Sequence, residues 1–100
     1  MALESPLKKD VLKARRDIEL LNRKYNMYFS GADEDMPREF RKQLGILIDK
    51  IKAATAIASS TADKFLANSV IAQFQINAAK WDKTLKLIED GRLVIPKKRD

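Results

Sequence analysis

Apolar residues recur at alternating intervals of four and three along most of this chain. The first stretch consists of Leu7, Val11, Ala14, Ile18, Leu21, Tyr25 and Tyr28. This spacing keeps the apolar side chains on one face of an α-helix, whereas a strand needs alternation at every second residue. Two further stretches repeat the spacing, so the pattern predicts an all-α protein with three long helices and coiled-coil-like seams.

Capping residues mark the two ends of the first helix. Ser5 is a good N-cap, and Pro6 suits the first helical position because its fixed φ is already close to helical. Gly31 follows the apolar pattern and can adopt the left-handed conformation that ends many helices. We therefore predict a first helix of about 25 residues between Ser5 and Gly31.

The second helix is predicted to begin near Pro37, just after three acidic residues that favour a helix N-terminus. Its apolar set is Phe40, Leu44, Leu47, Ile51, Ala54 and Ala58, with Ile48 and Ile57 widening the stripe. Gly45, inside this helix, indicates a place where another helix approaches closely.

Small hydroxyl residues over 59–61 offer N-caps and predict a tight break before the third helix. The third apolar set is Ala67, Ile71, Phe74, Ala78, Trp81, Leu85 and Ile88, and it stops at Gly91. We expect helices 2 and 3 to form an antiparallel hairpin with helix 1 packed along it. A single helical domain would span residues 1–92, and residues 93–100 would form a basic C-terminal tail.

The composition excludes several kinds of catalytic chemistry. The 100 residues include no Cys and no His, which removes disulfides, thiolate nucleophiles, Cys/His zinc sites and imidazole bases. A chain this small also has little material to build a concave pocket around its remaining carboxylates, lysines and hydroxyls. We expect a protein that is not an enzyme, with no cofactor, no metal and no small-molecule substrate.

Segments for export or membrane insertion are not visible in the sequence. No stretch approaches the roughly 18 uninterrupted apolar residues that a membrane span needs. The first residues lack the basic and apolar regions of a signal peptide. These observations lead us to expect a cytoplasmic protein with no membrane partner.

Basic residues exceed acidic ones by 20 to 14, which gives a net charge of +6. Three of the basic residues, Lys9, Arg16 and Arg23, lie seven residues apart on the outer heptad position of helix 1. The candidate basic contact surface consists of Lys9, Lys13, Arg16, Arg23, Lys97, Lys98 and Arg99. It can follow the phosphates of a nucleic acid, or it can be an ordinary solvated face that nearby acidic residues partly neutralise.

An uncharged segment over residues 65–79 stands out in a chain that is 34% charged. The candidate association surface within it consists of Asn68, Ser69, Ala72 and Gln75. Such residues can be partly buried at an interface without desolvating an ion. The alternative is that the third helix is the central member of the bundle, touched on two sides.

Core packing is the expected role of the seven aromatic residues, because aromatic side chains at helical spacing normally fill space. They are Tyr25, Tyr28, Phe29, Phe40, Phe65, Phe74 and Trp81. Trp81 continues the face of Ile71 and Phe74, so we predict that its indole is substantially buried.

Short motifs recur in a suggestive order over residues 18–92. They are Tyr25-Asn26-Met27-Tyr28-Phe29-Ser30-Gly31, Pro37, Arg41, Leu44, Thr61-Ala62, Phe65, Gln73-Phe74, Trp81 and Ile88-Glu89-Asp90-Gly91. Together they resemble an uncharacterised helical domain of delta-proteobacterial proteins, including myxobacterial ones. Lys64 stands where that family tends to have Arg, Gln73-Phe74 lacks an intervening Arg, and Asn77-Ala78 replaces an aromatic residue. The resemblance implies a bacterial, non-secreted protein and no known activity.

Two functions from different classes remain open at this point. The leading hypothesis is a non-catalytic protein–protein interaction or structural module, a homodimer being one form, with contact through the uncharged surface. The alternative is a small basic nucleic-acid-binding protein. Salt distinguishes them, because phosphate binding weakens steeply with ionic strength whereas apolar association does not.

Overall fold

Three α-helices make up most of the computed structural model, which describes residues 5–96. They are α1 (Pro6–Phe29), α2 (Arg38–Ile57) and α3 (Thr61–Glu89). Their lengths are 24, 20 and 29 residues, and each helix packs against the other two. No strand occurs in the described residues. The predicted all-α bundle of three helices is confirmed.

Two hydrogen bonds establish the relative direction of α1 and α3. The Ser5 hydroxyl donates to the Asp63 carboxylate at 2.9 Å, across 58 residues. The Trp81 Nε1–H donates to Asn22 Oδ1 at 3.0 Å, across 59 residues. Because the separation in sequence is nearly constant along the pair, α1 and α3 run parallel.

Contacts of α2 show that it runs in the opposite direction. Lys50, late in α2, pairs with Asp10, early in α1, at 3.2 Å. Lys24, late in α1, lies 5.7 Å from the ring centre of Phe40, early in α2. The helices α2 and α3 therefore form the expected antiparallel hairpin, and α1 packs along it.

Local capping agrees with the sequence at both ends of α1 and of α3. The Ser5 hydroxyl accepts a hydrogen bond from the backbone amide three residues on, at 3.1 Å. Ser60 does the same at the start of α3, at 3.2 Å. Gly31 and Gly91 follow α1 and α3 with φ of 81° and 76°, a conformation that L side chains disfavour. The two serines begin the helices α1 and α3, and the two glycines end them, where the sequence predicts.

All three apolar seams meet in one core. Its buried members are Leu7, Val11, Ala14, Ile18, Leu21, Tyr25, Leu44, Ile48, Ile51, Ala67, Val70 and Trp81. Trp81 is only 1% exposed, which confirms its predicted burial. Burying one large apolar side chain contributes roughly 1.5–3 kcal/mol, so this shared core is the main stabilising feature of the bundle.

Two predictions for α2 are wrong. Ile57 does not widen the apolar stripe, because it lies six residues beyond Ile51 and is carried off the buried face by the helical rotation. Its side chain is 87% exposed. Gly45 does not mark a close helix approach, since a Cβ built on it would meet no atom within 4 Å.

The start of the predicted tail lies against the connection between α1 and α2. A Cβ on Gly31 would collide with the carbonyl oxygen of Pro96 and lie 3.7 Å from the Ile95 side chain. Gly31 is therefore required for this crossing as well as for its positive φ. Lys97, Lys98 and Arg99 lie outside the described residues.

Candidate functional site

The helix α3 carries apolar or small residues on the side opposite the core as well as on the core side. We name as the outer stripe the exposed residues Ala62, Phe65, Ser69, Ala72, Ile76 and Ala79. Their intervals alternate between three and four, so they form one row along the helix. The row runs parallel to the buried seam and faces away from α1 and α2.

Two large hydrophobic side chains dominate the outer stripe. Phe65 is 73% exposed and Ile76 is 71% exposed. Phe65 was expected in the core, and that prediction is wrong: it lies two residues before the buried Ala67, which turns it away from the bundle. The sequence did contain the signal, because the outer stripe has its own heptad-like spacing beside the inner one.

All four residues of the predicted association surface are exposed on this side of α3. Ser69 and Ala72 belong to the outer stripe, and Asn68 and Gln75 flank it along one edge. Both α1 and α2 contact α3, as in the alternative of a central helix touched on two sides, but they do so from the core side and leave these four residues exposed. The structure thus joins these four residues to Phe65 and Ile76 in one uncharged face, which we call the outer face of α3.

Only some residues of the predicted basic surface lie on one face of α1. Lys9, Arg16 and Arg23 are exposed two turns apart, and none of them forms an ion pair within residues 5–96. Lys13 differs, because it lines the groove toward α2 and its Nζ lies 2.6 Å from the Asp17 carboxylate. Three of the predicted cations therefore share a face, and the fourth is already paired.

A polar and aromatic cluster ties α2 to α3 at one end of the bundle. The Arg41 guanidinium donates to both carboxylate oxygens of Asp82, at 2.7 and 3.1 Å, and to Tyr25 Oη at 3.1 Å. It also lies 5.8 Å from the centre of the Trp81 ring, which stacks on Tyr25 at 4.8 Å. Sequence reasoning missed this ion pair, because its partners lie 41 residues apart and no local pattern connects them.

Electrostatics at this cluster are those of a satisfied structural pair. The hydrogen bond from Arg41 lowers the pKa of the Asp82 carboxyl, despite partial desolvation. The same bond to Asp82 raises the pKa of the Arg41 guanidinium above its usual value. Both groups stay charged at neutral pH, so the pair links two helices and offers no group poised to exchange a proton.

A groove of about 580 Å³ lies between α1 and α2. Phe40, Leu44 and Leu47 line it with apolar surface. Lys13 and Lys50 on its rim are paired with Asp17 and Asp10. Within residues 5–96, no group of three or more potential ligands is placed to hold a metal ion. The groove is therefore an apolar depression without a reactive constellation.

Comparison of the chain with protein-family models, with curated proteins and with solved structures finds no match. The resemblance to the delta-proteobacterial helical domain accordingly stays a prediction. None of the helices in the described part of the chain is long and apolar enough to cross a membrane. The function must be inferred from two surfaces, the uncharged outer face of α3 and the basic face of α1.

Proposed function

We propose that this chain is a non-catalytic protein–protein interaction module whose contact surface is the outer face of α3. The observation that carries this proposal is the exposure of Phe65 and Ile76 in one row within the uncharged segment 65–79. The proposal includes a cytoplasmic location, a protein partner and no cofactor.

The chemistry of the outer face suits a protein partner. Covering apolar surface stabilises a complex by about 25 cal/mol per Å² removed from water. Asn68 and Gln75 can form hydrogen bonds at the edge of such a contact, and no ion has to lose its hydration. The opposite holds for α1, where covering Lys9, Arg16 and Arg23 with an uncharged surface would desolvate three cations.

Rigidity also favours this face as a binding surface. It belongs to a helix of 29 residues whose first turn is capped by Ser60. The Trp81 indole and the pair between Arg41 and Asp82 attach the same helix to its neighbours. A partner would therefore meet an ordered surface and lose little free energy in ordering it.

Affinity capture with matched variants tests the proposal. Ala72→Glu places a charge in the middle of the outer face, and Ala53→Glu makes the same change at an exposed position of α2. We expect cells that naturally contain the protein to yield a partner that survives nuclease treatment, is lost with Ala72→Glu and is retained with Ala53→Glu. Capture that is unaffected by Ala72→Glu would overturn the proposal.

Nucleic-acid binding is the second candidate function, supported by three exposed cations of α1 that form no ion pair in the part of the chain that the structure describes. Suppose that Lys9, Arg16 and Arg23 each contact a phosphate of duplex DNA. A plot of the logarithm of the binding constant against the logarithm of the salt concentration should then have a slope of about −2.7. Reversing all three to Glu should then abolish binding while circular dichroism stays unchanged. Absence of measurable binding of the wild type to duplexes at physiological salt would exclude this candidate.

A further inference from the structure

We infer that the occupant of the outer face is a second copy of this chain, bound through α3 in an antiparallel orientation. This inference rests on the proposed function and specifies its partner. The symmetry axis would pass between Ser69 and Ala72, so that Ser69 of each copy faces Ala72 of the other. A contact of this kind is isologous, with the same surface used twice.

Register is the first argument for self-pairing. With the axis at that point, Phe65 lies opposite Ile76 of the second copy, and Ala62 lies opposite Ala79. Antiparallel helix pairs place residues from the two alternating positions of a heptad opposite each other, as here. Every member of the outer stripe thus finds a counterpart on the same stripe, and none is left without one.

Shape is the second argument. Two packed helices cross at an angle, so their surfaces are closest at the crossing point and separate toward both sides. Ser69 and Ala72 are small and lie at the proposed centre, where the backbones must come close. Phe65 and Ile76 are large and lie outside it, where the gap widens. Over the four central residues, from Phe65 to Ile76, the order of side-chain sizes therefore matches the gap between two crossing helices, and the stripe ends in the small residues Ala62 and Ala79.

Charge is the third argument, and it selects the antiparallel orientation. In a parallel pair in register, Lys83, which continues the row beyond Ala79, would face its own copy and repel it. In the antiparallel pair, Lys83 extends past the first residue of the other α3. The flanking amides Asn68 and Gln75 then lie beside each other, where they can form hydrogen bonds.

The size of the surface sets the expected strength. From residue 62 to residue 79 the helix rises roughly 26 Å, and the contact is one helix wide. The area of such a contact is smaller than the value of about 800 Å² per partner that is typical of stable complexes. We expect a dimer that dissociates at micromolar concentrations, and sedimentation velocity from ~10 µM to ~1 mM should follow the transition.

A charge substitution tests the surface in that measurement. Ala72→Glu should remove the dimer over the whole concentration range, because two copies of the new carboxylate would lie close to the axis. Ala53→Glu, the matched control on α2, should dimerise as the wild type does. Circular dichroism establishes that both variants are folded. A dimer that persists in Ala72→Glu would overturn the assignment of the surface.

Disulfide trapping tests the orientation, and a chain without native cysteine makes the experiment clean. Ala62→Cys and Ala79→Cys are changes at exposed positions that should face each other only in the antiparallel pair. Mixed and oxidised, they should give a disulfide-linked heterodimer, whereas each variant alone should form no disulfide-linked dimer, because a disulfide needs Cα atoms within about 7 Å. A linked homodimer of Ala62→Cys alone would overturn the antiparallel orientation.

The outcomes separate this inference from the proposed function. A wild type that is monomeric at every concentration, with no trapped heterodimer, overturns the second copy as the partner. The proposed function survives that result if Ala72→Glu still abolishes capture of a different protein. It fails as well if capture is insensitive to Ala72→Glu.

Discussion

The two sides of α3 use similar residues at the same spacing, yet only one side is covered by the bundle. On the core side, Ile71 and Phe74 pack against the buried cluster. On the outer side, Ile76 and Phe65 are 71% and 73% exposed. The difference teaches that heptad-like spacing defines an apolar face without defining what covers that face. A helix with two such faces can use one to fold and keep the other for binding.

The inner side becomes the core because it offers more complementary packing. It contributes the Trp81 ring, which stacks on Tyr25 and meets Phe74 edge-on with a centroid distance of 6.5 Å. Asn22 accepts the indole hydrogen bond, so burial of the ring leaves no polar atom unpaired. The outer stripe has small residues between its two large ones and cannot fill an equivalent space.

The largest expected effect is that of Trp81→Ala, which removes the central side chain of the inner side. We expect the free energy of unfolding to fall by about 3 to 5 kcal/mol, since the ring is buried and its loss leaves a cavity. Urea denaturation followed by circular dichroism measures this change. A loss below about 1 kcal/mol would mean that the inner side of α3 is not the stabilising one.

A matched isoleucine pair compares the two sides directly. Ile71→Ala should cost about 2 kcal/mol, the low end for buried isoleucine, because this side chain is half-buried. Ile76→Ala should cost less than about 0.5 kcal/mol, since a mostly exposed side chain loses little contact. Both unfolding curves should be recorded at low protein concentration, where the proposed dimer is dissociated. Equal losses would contradict the distinction between the two sides.

Loss of the hydrogen bond between Asn22 and the Trp81 indole should lower the free energy of unfolding by a smaller amount. Asn22→Leu removes the acceptor for the Trp81 indole N–H, and an unpaired buried donor should cost about 1 to 2 kcal/mol. Asn26→Leu is the control, because this asparagine is exposed on the same helix and its side chain has no partner within residues 5–96. Denaturant unfolding of the two variants should separate them, and coincident curves would be the adverse result.

A further small effect is the dependence of stability on pH that arises from the ion pair between Arg41 and Asp82. Because Arg41 lowers the pKa of folded Asp82, this carboxylate stabilises the fold above the usual aspartate pKa of about 3.9. That contribution is lost as the pH falls through the lower pKa of the folded state. Since the Asp82 side chain is 60% exposed, solvent screening limits the effect to less than about 1 kcal/mol.

Asp82→Asn tests this pH dependence. The difference in unfolding free energy between wild type and variant should be present at neutral pH and shrink toward zero as the pH falls below about 4. Taking the difference cancels the titration of the other acidic residues. A difference that stays constant with pH would show that the pair does not stabilise the fold through charge.

Prediction from sequence succeeded where the cause is local. Ser5, Ser60, Gly31 and Gly91 act within a few residues of themselves, so the helix ends were readable. The charge-free segment of α3 was also readable, and its four candidate residues are indeed exposed together. Phe65 was misassigned to the core, because residue type outweighed its position two residues before the buried Ala67.

The sequence alone determined the three helices, their ends and the apolar seam of each, because helical periodicity and capping depend on neighbours three or four residues away. Only the tertiary structure decided the pairing of Arg41 with Asp82, the partner of the Trp81 indole and which side of α3 is left uncovered. These outcomes depend on how three helices share one core, and that arrangement joins residues about 40 to 60 positions apart. The uncovered side of α3 is therefore a property of the bundle, although each residue on it was visible in the sequence.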